Sequence, residues 1–185
     1  GIMGYVGPQD AAPILVDGLR RLEYRGYDSA GIAVSNGSIK VRKAQGKIAN
    51  LQALLDKEPL AGTIGIGHTR WATHGAPTDA NAHPHTDPSG EVVVVHNGII
   101  ENFQSLRDEL VASGAEFASE TDSEILAHLV AREYDGDLVE AVRRTVALSD
   151  GAYAMVVMSM RDPRKIVAVR KISPLVVGLG DGETF

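Results

Sequence analysis

Apolar residues recur along this chain with two periods, and the switches between them divide it into elements. Residues 2–6 form a short apolar run, read as a strand. Ile14, Leu15, Gly18, Leu19 and Leu22 then share one face at helical spacing. They predict a helix capped by Asp10 and reaching Tyr24, with Pro13 tolerated in its first turn. The runs 32–34 and 39–41 flank Asn36-Gly37, a pair suited to the positive φ angles of a type I′ hairpin. Ile48, Leu51, Leu54 and Leu55 predict a second helix over 47–58, ended by Pro59. Residues 63–67 read as a strand, and 91–96 as a fully buried strand running into Asn97-Gly98. Helices follow over 101–113, stopped by Gly114, and after the capping-box pattern Thr121-Asp122-Ser123-Glu124. Asp137 and Glu140 signal another, ending near Leu148. The runs 152–158, 165–169 and 175–178 are three further strands. Antiparallel hairpins and grouped helices, without repeat or linker, predict one compact α+β domain over residues 1–185.

Composition narrows the class. Apolar residues at 44% and charged residues at 23% describe an ordinary globular core, not a disordered, collagenous or coiled-coil chain. An excess of 24 acidic over 18 basic residues weighs against a nucleic-acid or anionic-membrane partner. No apolar run approaches the ~18–20 residues of a spanning helix, so no membrane segment is expected. The start, Gly1-Ile2-Met3-Gly4, has neither the basic nor the apolar region of a secretory signal. With no cysteine, the chain as written has no disulfide, thiolate metal site or thiol nucleophile.

Candidate chemistry concentrates in His68-Thr69-Arg70-Trp71-Ala72-Thr73-His74-Gly75, which follows a strand and opens the longest stretch without hydrophobic periodicity. An exposed indole is costly and a buried guanidinium needs an anionic partner, so this is a poor composition for a solvated loop. The plainer reading is a strand end whose polar residues cap neighbouring backbone. His83-Pro84-His85 with His68, His74 and His96 could offer imidazoles to a metal. No carboxylate stands at ligand spacing beside them, and capping of the loop serves equally. Arg70 could bind a carboxylate bidentately and Asp122 could receive an ammonium group. Asp122 or Thr121 could equally just cap a helix. Asn97-Gly98, at the end of a buried strand, could direct two donors at a developing oxyanion, or form an ordinary turn.

Six runs, taken in order along essentially the whole chain, carry a family resemblance. They are Leu22 to Gly31 (LEYRGYDSAG), His68 to Gly75 (HTRWATHG), Asn81 to His85 (NAHPH), Val95 to Asn102 (VHNGIIEN), Ser119 to Glu124 (SETDSE) and Leu148 to Tyr153 (LSDGAY). The sequence resembles the glutaminase domains of glucosamine-6-phosphate synthases, within the class II glutamine amidotransferases. The first two runs are specific to that enzyme; the Asn-Gly and Asp pieces are shared more widely in the class.

The resemblance implies an N-terminal-nucleophile (Ntn) hydrolase fold, a four-layer αββα sandwich of two antiparallel sheets. It implies hydrolysis of the L-glutamine side-chain amide through a γ-glutamyl thioester. The ammonia would supply synthesis of glucosamine 6-phosphate from fructose 6-phosphate in C-terminal isomerase domains that this chain lacks. In such domains the mature chain opens with a nucleophilic cysteine followed by Gly-Ile-Val-Gly, and the cysteine's α-amine is the general base. Gly1 matches the position after that cysteine, so the chain as written is expected not to turn over glutamine. The alternatives are a nucleophile-less glutamine-binding or regulatory module, or an amidase on another amide. Carried over by position, Asn97 and Gly98 form the oxyanion hole, Arg70 holds the α-carboxylate and Asp122 the α-ammonium. Thr73 and His74 line the pocket, and Trp71 closes over the substrate on a moving loop. Arg25 packs near the nucleophile, and His83 is structural. The resemblance implies no metal or cofactor, a cytoplasmic location, and a monomer for the domain alone, because the family's dimer contacts lie mainly in the absent half.

Overall fold

A computed structural model describes residues 1–26, 28–71 and 75–185, apart from the side chain of Arg25. The elements, in order, are β1 (Ile2–Val6), α1 (Ala11–Leu22), β2 (Ser29–Ser35), β3 (Ile39–Gln45), α2 (Ile48–Lys57) and β4 (Ile64–Arg70). Then come β5 (His85–Thr86), β6 (Val92–Ile100), α3 (Phe103–Ala112), α4 (Asp122–Glu133), α5 (Leu138–Leu148), β7 (Gly151–Ser159) and β8 (Ile166–Lys171). A short 3-10 turn over Glu23–Arg25 follows α1.

Two antiparallel four-stranded sheets form, ordered β1-β4-β2-β3 and β5-β6-β7-β8. The central strands of each sheet bury both faces over most of their length. Val93, Val95, Val156 and Met158 of the second sheet meet Ile66 and Ala33 of the first in the middle of the molecule. On the outer faces, Leu15, Leu19, Leu51 and Leu55 cover the first sheet, and Leu106, Leu126, Leu129 and Val142 cover the second. The layers run helix, sheet, sheet, helix, which is the αββα sandwich the sequence resemblance implies. Strand alternation makes this possible: along β4, Ile64, Ile66, His68 and Arg70 face the other sheet while Gly65, Gly67 and Thr69 face the opposite way. Gly67 lets α1 lie close, because a Cβ there would meet Leu19 Cδ1 and Ile32 Cγ2 at 2.9 Å.

Several local expectations are corrected. Asp10 precedes α1 without capping it; its carboxylate accepts from Gly62 N at 3.1 Å, tying the helix start to the approach of β4. Ser35 pairs with Ile39, so the hairpin has a three-residue loop, and only Gly37 of that loop has positive φ. Asn36-Gly37 therefore does not form a type I′ turn. Residues 175–178 form no strand, only a segment beside the isolated Leu179–Thr184 bridge, and β5 was not foreseen. The strand expected to end at His96 continues through Asn97-Gly98 to Ile100.

The capping box before α4 does not close either. Glu124 bypasses Thr121 and accepts from Ala118 N (2.7 Å), Ser119 N (2.6 Å) and Ser119 Oγ (2.5 Å). Burial alone would raise its carboxyl, but the nearby His128 ring, 3.8 Å away, and hydrogen bonds from Ser119 and Ala118 outweigh that and hold it at about 2. This carboxylate fixes the bend that delivers Thr121 and Asp122.

Two predictions follow from the packing. A Gly67→Val substitution overfills the contact with α1 and lowers unfolding free energy by about 1–3 kcal/mol in urea titration. Glu124→Gln costs about 1.5–3 kcal/mol at neutral pH, as for hydrogen bonds to a charged group. Because the folded carboxyl titrates below its ordinary 4.5, its stabilisation is complete above that pH. It disappears as pH falls toward about 2. The stability gap between parent and variant, followed by denaturant midpoint, therefore closes over that window.

Candidate active site

At one end of the sandwich the inter-sheet layer changes from apolar to polar. On β4, His68 and Arg70 continue the face of Ile64 and Ile66; on β6, Asn97 continues the face of Val93 and Val95. The two sheets meet there through a hydrogen bond, with His68 Nε2 2.8 Å from Asn97 Oδ1. A cleft opens beside this bond, lined by Gly1, Arg70, Trp71, Asn97, Gly98 and Asp122 among others.

Gly98 is placed by register. Ile100 N donates to Asp122 Oδ2 at 3.0 Å, while Glu101 N donates to Asp150 O, beside β7. Since N–H directions alternate along a strand, Gly98 N–H points with that of Ile100, away from β7. β5 pairs with Val93 and Val94, so among the described residues no strand covers that side of Gly98. Its φ of +128° and the Ala152 carbonyl, 2.3 Å from where a Cβ would be, demand glycine. Asn97-Gly98 is thus neither a turn nor a strand end. It is an open stretch of strand edge, with an amide side chain on the inter-sheet face and a backbone donor beside it.

Arg70 is 5% exposed, and its guanidinium donates to the carbonyls of Ala76 (3.2 Å) and Gly75 (3.3 Å). The anionic partner that its burial requires is Asp28, whose Oδ1 lies 3.9 Å away and accepts from Ser29 Oγ. Asp122, 7% exposed, does not cap its own helix. It accepts from Ile100 N and from Ser123 Oγ, which also contacts His96 Nδ1 at 2.9 Å. Asn81 links the two sides: its side chain donates to Ala76 O, and its Oδ1 accepts from Glu120 N, just ahead of Asp122. Trp71 lines the cleft yet is 62% exposed, contrary to the expectation that this indole would be covered.

Among the described residues no three His, Asp or Glu side chains converge as a metal ion would require. Instead the His83 ring lies 4.1 Å from that of His68 and 4.7 Å, edge-on, from that of His85, and His85 Nε2 meets Thr121 Oγ1 at 3.1 Å. Burial pushes His68, His83, His85 and His96 below the usual imidazole range, His85 to about 3, so the group is neutral near pH 7.

The structure therefore gathers Asn97, Gly98, Arg70, Trp71 and Asp122 around one cleft. Thr73, His74 and the side chain of Arg25 lie outside the described residues. Sequence reasoning missed the roles of Asp28, Asn81, Ser123 and the His68–Asn97 bond. Each is a polar residue in a run already singled out, but its partner lies far along the chain.

Known proteins resemble this chain in sequence and in fold. A family profile described as a glutamine amidotransferase domain matches residues 68–185. The glutamine–fructose-6-phosphate aminotransferase (isomerizing) of Symbiobacterium thermophilum is 59% identical over 184 residues, covering 99% of this chain and 30% of that protein. Its namesake in Thermus thermophilus is 58% identical over 186 residues, covering all of this chain and 31% of the relative. This chain thus spans just under a third of the length of these relatives. Among solved structures, the glutamine phosphoribosylpyrophosphate amidotransferase of B. subtilis, complexed with ADP and GMP, is similar at a TM-score of 0.86. It is 27% identical, and the match covers 99% of this chain and 40% of that one. On the profile match, the shared fold and a sequence likeness that runs the whole length of the chain, this protein belongs to the glutamine amidotransferase domain family.

Proposed function

We propose that this domain hydrolyses the side-chain amide of L-glutamine and delivers the ammonia to further domains that convert fructose 6-phosphate to glucosamine 6-phosphate. The observation that carries the reading is the pair of donors at Asn97 and Gly98, set beside the N-terminal end of β1.

The register of β1 says why that end matters. Ile2 stands opposite His68, and Gly1 continues the ladder by exchanging hydrogen bonds with Thr69 at 2.7 and 2.9 Å. A residue joined to Gly1 along the same strand would stand opposite Arg70. Directly opposed residues share a face, so its side chain would enter the inter-sheet layer beside Asn97. The nucleophilic cysteine belongs at that position.

In this mechanism the thiol sulfur attacks the γ-carbonyl carbon while its proton passes to the cysteine's own α-amine. An α-amine titrates near about 7.7–8.0 and so suits a base at neutral pH. The carbonyl oxygen becomes an oxyanion held by Asn97 Nδ2–H and Gly98 N–H. Collapse of the adduct breaks the C–N bond, the α-ammonium returns the proton to nitrogen, and ammonia leaves a γ-glutamyl thioester. Water then attacks the thioester with the amine again as base, and glutamate and the thiol are regenerated. Arg70 pairs with the substrate α-carboxylate and Asp122 with its α-ammonium, which fixes the γ-amide over the donors.

Mass spectrometry of the native gene product, after treatment with an electrophilic chloroketone analogue of glutamine, is expected to find the label on a cysteine directly preceding Gly1. Labelling elsewhere overturns the reading. Glutamine binding without turnover, in a protein that lacks this cysteine, leaves a binding module instead. In the active protein, Asn97→Ala lowers kcat for glutamate release by about 10²–10³-fold. Asp122→Asn retains the bond to Ile100 N but raises KM for glutamine by roughly 10-fold or more, with the larger change in KM.

A further inference from the structure

An asparagine amide has two ends of nearly equal size, and only one of them can stabilise an oxyanion. Asn97 serves the proposed reaction only if Nδ2 faces the substrate, and nothing within the residue selects that rotamer. We infer that His68 is a positioning residue that makes this selection, by donating its Nε2 proton to Asn97 Oδ1 and turning the amide NH2 toward the cleft. The inference rests on the reading above and deepens it.

Three observations carry it. The contact is short, 2.8 Å, and joins two side chains on different sheets, so the orientation of one constrains the other across the sandwich. His68 is 3% exposed, and among the described residues its Nδ1 has no hydrogen-bond partner. A buried lone pair without a partner is tolerated more readily than a buried N–H without an acceptor. That favours the tautomer with the proton on Nε2, and hence the amide with Oδ1 toward the ring. Burial also keeps the imidazole below its ordinary titration range, so it stays a neutral donor near pH 7.

The ring is itself held in place. His83 packs on it at 4.1 Å between centroids, His85 packs edge-on against His83, and His85 contacts Thr121 at the start of α4. Both His83 nitrogens lack partners among the described residues, so this ring acts as a wedge and not as a ligand. Its segment seats where β2 has no side chain: Gly31 stands opposite His68, and a Cβ there would lie 2.2 Å from His83 O. The loop that brings Asp122 to the cleft thus also braces the residue that aims Asn97.

The test uses the native gene product with His68→Gln and His68→Leu. Glutamine's side-chain NH2 reaches the region of Nε2 and restores a donor; leucine fills the space without one. His68→Leu is expected to lower kcat by about 10–100-fold, with KM within roughly twofold, because substrate binding groups are untouched. His68→Gln recovers most of the loss. In an Asn97→Ala background, His68→Leu adds little further loss, because residues acting through one contact are non-additive. Additive losses, or a His68→Gln protein as slow as His68→Leu, overturn the inference. A readout independent of activity is ¹⁵N NMR of the imidazoles. A neutral His68 protonated on Nε2 supports the assignment even in a protein that does not hydrolyse glutamine, and a proton on Nδ1 refutes it.

Discussion

A buried polar group left without a partner costs stability. This constraint shapes the end of the sandwich where the two sheets carry polar residues inward, although His68 Nδ1 and both His83 nitrogens have no partner among the described residues. Along β4 and β6 the inward face runs apolar for most of its length, then turns to His68, Arg70 and Asn97. Leaving any of these unsatisfied would cost roughly 1–3 kcal/mol, more for the guanidinium. His68 therefore takes Asn97 and Arg70 takes Asp28 with the carbonyls of Gly75 and Ala76. A cleft lined by oriented polar groups is the outcome of satisfying this face while the remainder of the layer stays closely packed.

The helical layer supplies the other wall, and it does so through a carboxylate remote from the chemistry. Glu124 gathers the amides of Ala118 and Ser119 into a fixed bend, and that bend presents Asp122 to Ile100 N. Asn81 fastens the same segment to the turn that receives the Arg70 guanidinium. The proposed carboxylate and ammonium sites, 52 positions apart in sequence, are thus held in one framework. Preorganisation of this kind is how a site stabilises charge in a transition state without reorganising at the moment of reaction.

The two proposed oxyanion donors are secured by different means. Gly98 is fixed by strand pairing: the β6–β7 register turns its N–H away from β7, and its positive φ and the closeness of the Ala152 carbonyl require glycine there. Asn97 is a side chain with a rotatable amide and needs an external reference, which His68 provides across the sheets. A backbone donor needs only the right residue type, whereas a side-chain donor needs a neighbour of known tautomer.

Periodicity alone located most helices and strands of the fold, because each buries one face and the sequence must repeat accordingly. Residue type and position, not periodicity, raised Arg70, Asn97, Gly98 and Asp122 as candidates beside plainer capping and turn readings, and the family resemblance named their roles. Periodicity failed where the partner was distant. Asn97-Gly98 reads locally as a turn, but pairing with β7 carries the strand on to Ile100. Thr121-Asp122-Ser123-Glu124 reads as a capping box, but Glu124 finds stronger donors upstream and Asp122 finds Ile100. Trp71 reads as buried because indole is apolar, yet it stands largely exposed beside the cleft. The sequence by itself determined the fold class and which residues were out of place in an ordinary core. Only the tertiary structure decided which of them meet, because a hydrogen bond between His68 and Asn97 depends on two sheets closing over a shared apolar layer, not on any spacing along the chain.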